Sequence, residues 1–143
     1  MASTEPAAQT TAHACRSEIV RLHDLLAGWL SGETARTPEA FAPFAESHDP
    51  GFTLIEPGGK LLARDRVLTE VESVHGAAPG LVIDISEVQL IAESGSLVVA
   101  GYEEWHSGPT AGGPRRVTAV FVREPAAPHG LRWRHLHETW LAV

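Results

Sequence analysis

Several things are scarce in this sequence, and each scarcity excludes a class of protein. There is one cysteine, Cys15, so no internal disulfide can form, which fits a reducing cytoplasm. No apolar run approaches the ~20 residues of a bilayer span. Before Ala14 there is neither a basic start nor an apolar stretch of the kind a secretory signal needs, so residues 1–13 read as a disordered tail ahead of one domain, residues 14–143. Basic residues number 11 against 18 acidic ones, giving a net charge of −7. The close basic pairs, Arg115-Arg116 and Arg132/Arg134, are too few to track a polyanion, so neither nucleic acid nor a membrane is an expected partner. No repeat or low-complexity segment appears.

What is present is an ordinary globular balance, with 43% hydrophobic and 20% charged residues over 143 positions, enough for one domain with a real core. Ile19, Leu22, Leu26 and Trp29/Leu30 recur at helical spacing, and Gly32 follows where a helix would stop, predicting a helix over 16–31. Thr37-Pro38 supplies an N-cap and a first-turn proline for a second helix carrying Phe41 and Phe44. Residues 52–55 read as a strand, 56–59 as its turn, and 60–63 as the returning strand. Val67, Leu68, Val71 and Val74 define a third helix, ended by Gly76.

The remainder reads as strand. Leu81, Ile83 and Ile85 alternate, then Val88 and Leu90 continue in the opposite phase, which predicts a β-bulge near Ser86-Glu87. Ser94-Gly95 marks a hairpin turn, and three further strands follow, over 97–106, 117–123 and 131–141. The order is ααββαββββ. It predicts an α+β domain in which a curved antiparallel sheet and three helices enclose a cavity on the concave side.

In this order the chain resembles the nuclear transport factor 2-like superfamily, whose members include ketosteroid isomerase, scytalone dehydratase, limonene epoxide hydrolase, SnoaL-type polyketide cyclases and the association domain of calcium/calmodulin-dependent kinase II. Two patterns carry the resemblance. Thr53-Leu-Ile-Glu56-Pro57 is similar to Thr-x-Phe-Glu-Pro of the association domain and Thr-Val-Glu-Asp-Pro of ketosteroid isomerase. Trp133-Arg-His-Leu136-His137 is similar to Trp-x-x-Val-His of the association domain. Fold does not give function in so scattered a group.

The resemblance implies a set of site residues. Glu56 matches the general base of ketosteroid isomerase, although the association domain has a glutamate there without catalysis. Trp140 matches a pocket tryptophan, which points Leu136, Glu138 and Trp140 inward, and leaves Trp133, His135 and His137 on the opposite face, packed against a second subunit. The same alignment points Tyr102 and Glu104 inward from the 97–106 strand, and matches Arg116 with a ligand-binding arginine. Glu138 is then either a buried catalytic carboxyl or half of a structural ion pair, and Tyr102 either an oxyanion donor or core packing. Trp29 is placed as a roof over the pocket or as plain core. His135 and His137 have the spacing of a two-histidine clamp but no third ligand, so no metal is expected. The known catalytic sets of the superfamily are not reproduced intact: Leu25-Leu26 stands where ketosteroid isomerase has its tyrosine.

The expected function is cofactor-free acid-base chemistry on a small apolar or polycyclic molecule, of isomerase, cyclase or dehydratase type, by a homodimer, with Glu56, Glu138 and Tyr102 catalytic and Trp29, Glu104, Arg116, Leu136 and Trp140 binding the ligand. The alternative is a non-catalytic ligand-binding or oligomerisation domain.

Overall fold

The computed structural model describes the backbone of residues 4–142 and the side chains of residues 10–142. The elements run α1 (Thr4–Ser31), α2 (Pro38–Glu46), β1 (His48–Ile55), β2 (Leu61–Ala63), α3 (Arg64–Ser73), β3 (Val82–Ser94), β4 (Leu97–Ser107), β5 (Arg115–Arg123) and β6 (Leu131–Trp140). This is the order expected from the sequence. One six-stranded sheet is ordered β2-β1-β6-β5-β4-β3. Its β3 to β6 ladder is antiparallel, as expected, but β1 lies parallel to β6, so the sheet is mixed. The parallel pair arises because β1, hairpinned to β2 on one edge, takes the last strand of the chain as its other neighbour.

Local chemistry explains several boundaries. The Thr37 hydroxyl accepts from the Ala40 N–H at 3.1 Å, and Pro38 occupies the first turn of α2, where no N–H is needed. In β3 the pairing with β4 slips between Ser86 and Gln89, and Glu87 sits there at φ 55°, the bulge expected from the change of phase. Gly101 in β4 faces Ile91, whose Cδ1 would lie 3.3 Å from any added Cβ.

Two expectations need correction. The first helix begins at Thr4, well ahead of residue 16, and Thr11 is buried with its hydroxyl donating to Glu93 on β3 at 2.9 Å. The segment read as a tail is therefore helical over its described part, and residues 1–3 lie outside the described residues. Second, Trp133 is fully buried. A register shift makes Val120 face His135 while Phe121 faces Trp133, so Arg134 is an extra residue in β6. The alternation resets there, and Trp133 and Leu136 both point into the core. Its indole N–H donates to Glu18 at 2.8 Å, and its ring meets Phe121 at 4.6 Å.

The core lies between α1, α2 and the concave sheet face. Ile19 and Leu22 from α1, Phe44 from α2, Val98 and Ala100 from β4 and Phe121 from β5 are all buried. No helix among the described residues is long and apolar enough to cross a membrane.

Candidate functional site

The packing leaves a cavity of about 800 Å³ on the concave side. Leu22 and Leu26 from α1, Phe44 from α2, Phe52 from β1, Val67 from α3 and Leu136 from β6 give it a largely apolar wall. Into this wall open His23, His48, Glu56, Glu104, His106, Arg115 and Glu138, with Trp140 beside them.

Strand parity concentrates most of these groups. Glu104, Arg115 and Trp140 occupy facing positions across β4, β5 and β6. Glu138 projects from β6 two residues before Trp140, on the same face. His106 follows Glu104 by two on β4. From the helix side, His23 sits one turn after Ile19, on the buried stripe of α1.

Glu104 is held by two imidazoles. His23 Nε2 lies 3.0 Å from Oε1, and His106 Nε2 lies 2.5 Å from Oε2. Burial opposes charge on Glu104, but the His23 charge and the two imidazole hydrogen bonds outweigh it and hold the carboxyl well below its ordinary range. Burial also opposes charge on His23, yet Glu104 overrides it and raises its proton affinity. Because Nδ1 of His23 faces the Ile19 carbonyl at 2.7 Å, both ring nitrogens donate and the ring is an imidazolium.

Glu138 behaves in the opposite way. Burial, followed by the negative charge of Glu104, pushes its carboxyl up to about 7, against a smaller pull from Arg115. Arg115 Nη1 is 3.6 Å from Glu138 Oε1, and its guanidinium lies over the Trp140 ring, 5.1 Å from the centroid. On another part of the wall, burial lowers His48 to about 4. Its Nδ1–H donates to the Phe44 carbonyl at 2.9 Å, so the ring is neutral and Nε2 carries a lone pair.

Of the residues expected at the site, Glu56, Glu104, Leu136, Glu138 and Trp140 line this cavity. Three do not. Tyr102 points inward but lies behind the wall, edge-on to His23 at 5.5 Å, with a buried hydroxyl that finds no hydrogen-bond partner among the described residues. Trp29 is core: its N–H donates to the Val71 carbonyl at 2.9 Å and its ring meets Phe41 at 4.8 Å. Arg116 faces outward and donates to Glu103 at 3.2 Å, and the arginine that reaches the cavity is its neighbour Arg115. The sequence reading missed Arg115, His23, His48 and His106. Parity from the buried residues Val117, Ala119 and Phe121 selects Arg115, and the Ile19-to-His23 helical spacing selects His23. His135, on the outer face, is hydrogen-bonded with the Thr53 hydroxyl at 2.7 Å, and its ring lies 6.5 Å from that of His137.

No family model and no curated protein matches the chain. Solved structures do. A nuclear transport factor 2-like protein of unknown function from Pseudomonas aeruginosa is 28% identical, covers 90% of this chain and 99% of its own, and superposes with a TM-score of 0.82. A candidate dehydratase of the same family from Streptomyces avermitilis is 14% identical over 99% of this chain and 100% of its own, with a TM-score of 0.69. A candidate calcium/calmodulin-dependent protein kinase type II association domain from Thiobacillus denitrificans is 23% identical over 74% and 96%, with a TM-score of 0.55. The chain has the nuclear transport factor 2-like fold.

Proposed function

We propose that this protein binds a small, largely apolar molecule in the concave cavity and transfers a proton to or from it without a cofactor. The observation that carries this reading is Glu138, a carboxyl 11% exposed in an apolar wall with its proton affinity raised to about 7. Such a group is present in both protonation states at neutral pH, as a general acid or base must be. Glu138 is the proton carrier, and Arg115 is placed to stabilise negative charge developing next to it. Glu56, at the end of β1, is the second candidate base. Glu104 and His23 satisfy each other and set the local field. Isomerisation, cyclisation or dehydration fits this equipment, and one protein of the same fold is described as a candidate dehydratase.

A non-catalytic binding role is the second reading. It is favoured by the position of the Tyr102 hydroxyl behind the wall, which leaves the cavity without the phenolic donor expected from the sequence.

The two readings separate in an exchange experiment. A panel of enolisable polycyclic ketones, with 2-tetralone as the simplest, is incubated in deuterated buffer and the α-protons are followed by NMR. Catalysis predicts exchange faster than buffer, with a midpoint near pH 7, and loss of the acceleration in Glu138→Gln. Thermal stabilisation by the same compounds without any exchange would favour the binding role.

We further infer that the chain is a cytoplasmic homodimer. Cys15 is a buried free thiol and the sequence has no second cysteine, so the fold uses none of the disulfides that oxidising compartments favour. Val82, Ile91, Leu97 and Trp105 lie exposed on the outer sheet face, where a second copy would cover them.

A further inference from the structure

Arg115 presents an unsolved problem of hydrogen bonding. Its guanidinium carries five N–H donors, and its side chain is 17% exposed. Among the described residues none accepts a hydrogen bond from that group. Glu138 Oε1, at 3.6 Å, is beyond reach, and Nε is buried without a partner. Guanidinium groups withdrawn from water normally satisfy their donors, and an unpaired one calls for a physical reason. The fork does not swing free, because its central carbon sits over the ring of Trp140, its facing residue on β6, 5.1 Å from the centroid.

The missing partner has a definable chemistry. A planar fork takes a planar pair of oxygens, in bidentate fashion. The other groups opening onto the cavity include Glu56, Glu70 and Glu104, all acidic, so a dianion such as a phosphate monoester meets too much repulsion. Apart from Glu138, Ser73 and the His23, His48 and His106 rings, the remaining wall is hydrocarbon. We propose that the cavity takes an amphipathic monocarboxylate, its two oxygens on Arg115 and its apolar body against Leu26, Phe44, Phe52 and Leu136, and that Glu138 takes up a proton as the ligand binds. This deepens the small-molecule reading above and rests on it.

The proton uptake follows from the surroundings of Glu138. Glu104, His106 and the Tyr102 phenol approach from β4, Arg115 from β5, His23 from α1, Glu56 from the end of β1 and Glu70 from α3. Glu70 is already paired with Arg66 at 2.7 Å, and His23 and His106 are committed to Glu104. An incoming carboxylate removes Arg115 as the counter-charge of Glu138 and adds a second negative charge beside it. Since the Glu138 carboxyl is already pushed up to about 7, it accepts a fraction of a proton per site at pH 7.

Titration calorimetry with 1-naphthaleneacetate and its neutral isostere 1-naphthaleneacetamide tests this at pH 7, in phosphate and in Tris. The expected result is at least tenfold tighter binding of the acid, with a heat that differs between the buffers because protons are taken up. Arg115→Met should erase the preference while amide binding stays within about threefold, and Glu138→Gln should erase the buffer dependence. Should Arg115→Met fail to fold, the acid-to-amide ratio in the natural protein still decides. Amide binding equal to or tighter than acid binding overturns the inference and leaves the apolar pocket standing. Acid preference that survives in Arg115→Met, or that comes without proton uptake, also overturns it. If neither compound binds, the inference and the small-molecule reading fall together.

Discussion

His23 and Glu104 meet as a buried ion pair, with Nε2 3.0 Å from Oε1 and side chains 5% and 4% exposed. The pair joins α1 to β4 across 81 residues of sequence. Both His23 nitrogens are engaged, the other by the Ile19 carbonyl, and each Glu104 oxygen takes one imidazole, the second from His106. The charge of Glu104 reaches across the cavity wall, and the residue that feels it is Glu138, whose carboxyl it helps push up.

Removing one partner should be far worse than removing both. Glu104→Leu leaves an imidazolium buried with no counter-ion and should cost about 3–5 kcal/mol. The double variant His23→Leu/Glu104→Leu should recover a large part of that loss, since two apolar side chains fill the space. Urea melts at pH 7 of the two single variants and the double give the coupling. A single-variant loss below ~1 kcal/mol would show that the pair contributes little.

Much of this arrangement was legible in the sequence, and the failures have particular causes. Helical spacing located α1, Thr37-Pro38 located α2, and the change of phase at Ser86-Glu87 located the bulge in β3. Alternation alone left both faces of the last strand open; the resemblance at Trp140 pointed Glu138 and Leu136 inward, and both line the cavity. The same rule misplaced Trp133, because the extra residue Arg134 breaks the alternation in β6 and no glycine or proline advertises the break. Arg116 was chosen over Arg115 from resemblance, although the phase of Val117, Ala119 and Phe121 favours Arg115. The histidines were invisible as a group because His23 and His106 are brought together by tertiary packing alone.

The N-terminal part of α1 should matter more than a tail would. Thr11 donates to Glu93, and Arg123 donates to both Thr11 and Glu93, tying α1 to β3 and β5. Deleting residues 1–13 should lower the melting temperature by several degrees, and Thr11→Val alone should cost about 1 kcal/mol. An unchanged melting temperature after the deletion would return this segment to the status of a dispensable tail.

Association through the outer sheet face predicts a specific sensitivity. Trp105 is 39% exposed there, with its N–H donating to Glu103 at 3.2 Å. Light scattering at tens of micromolar should give the mass of two chains. Trp105→Glu, which adds a charge at an exposed position, should give one chain without loss of melting cooperativity. A natural protein that is monomeric at that concentration defeats the homodimer inference outright.

The last prediction concerns the penalty Glu138 imposes on the fold. Its folded-state proton affinity, raised from 4.5 to about 7, means that the folded protein holds this proton more tightly than the unfolded chain does. Between those two values the folded state binds more protons, so the contribution of Glu138 to stability falls as pH rises through the window. His48 works in the opposite direction: lowered from 6.5 to about 4, it makes the fold gain stability as pH rises between those values. The two effects overlap in the natural protein, so its own pH profile cannot separate them. Glu138→Gln removes only the first. The stability of the variant relative to the natural protein should therefore climb with pH, by on the order of 2–3 kcal/mol between pH 4.5 and pH 8, and level off above. A constant offset from the amide itself leaves this slope untouched. Denaturant melts of both proteins at half-unit intervals measure it, and a flat difference across the range would mean that Glu138 titrates as an ordinary carboxyl. A slope of the expected sign would show that the chain keeps a buried acid at the expense of stability, which is what a group retained for proton transfer should do.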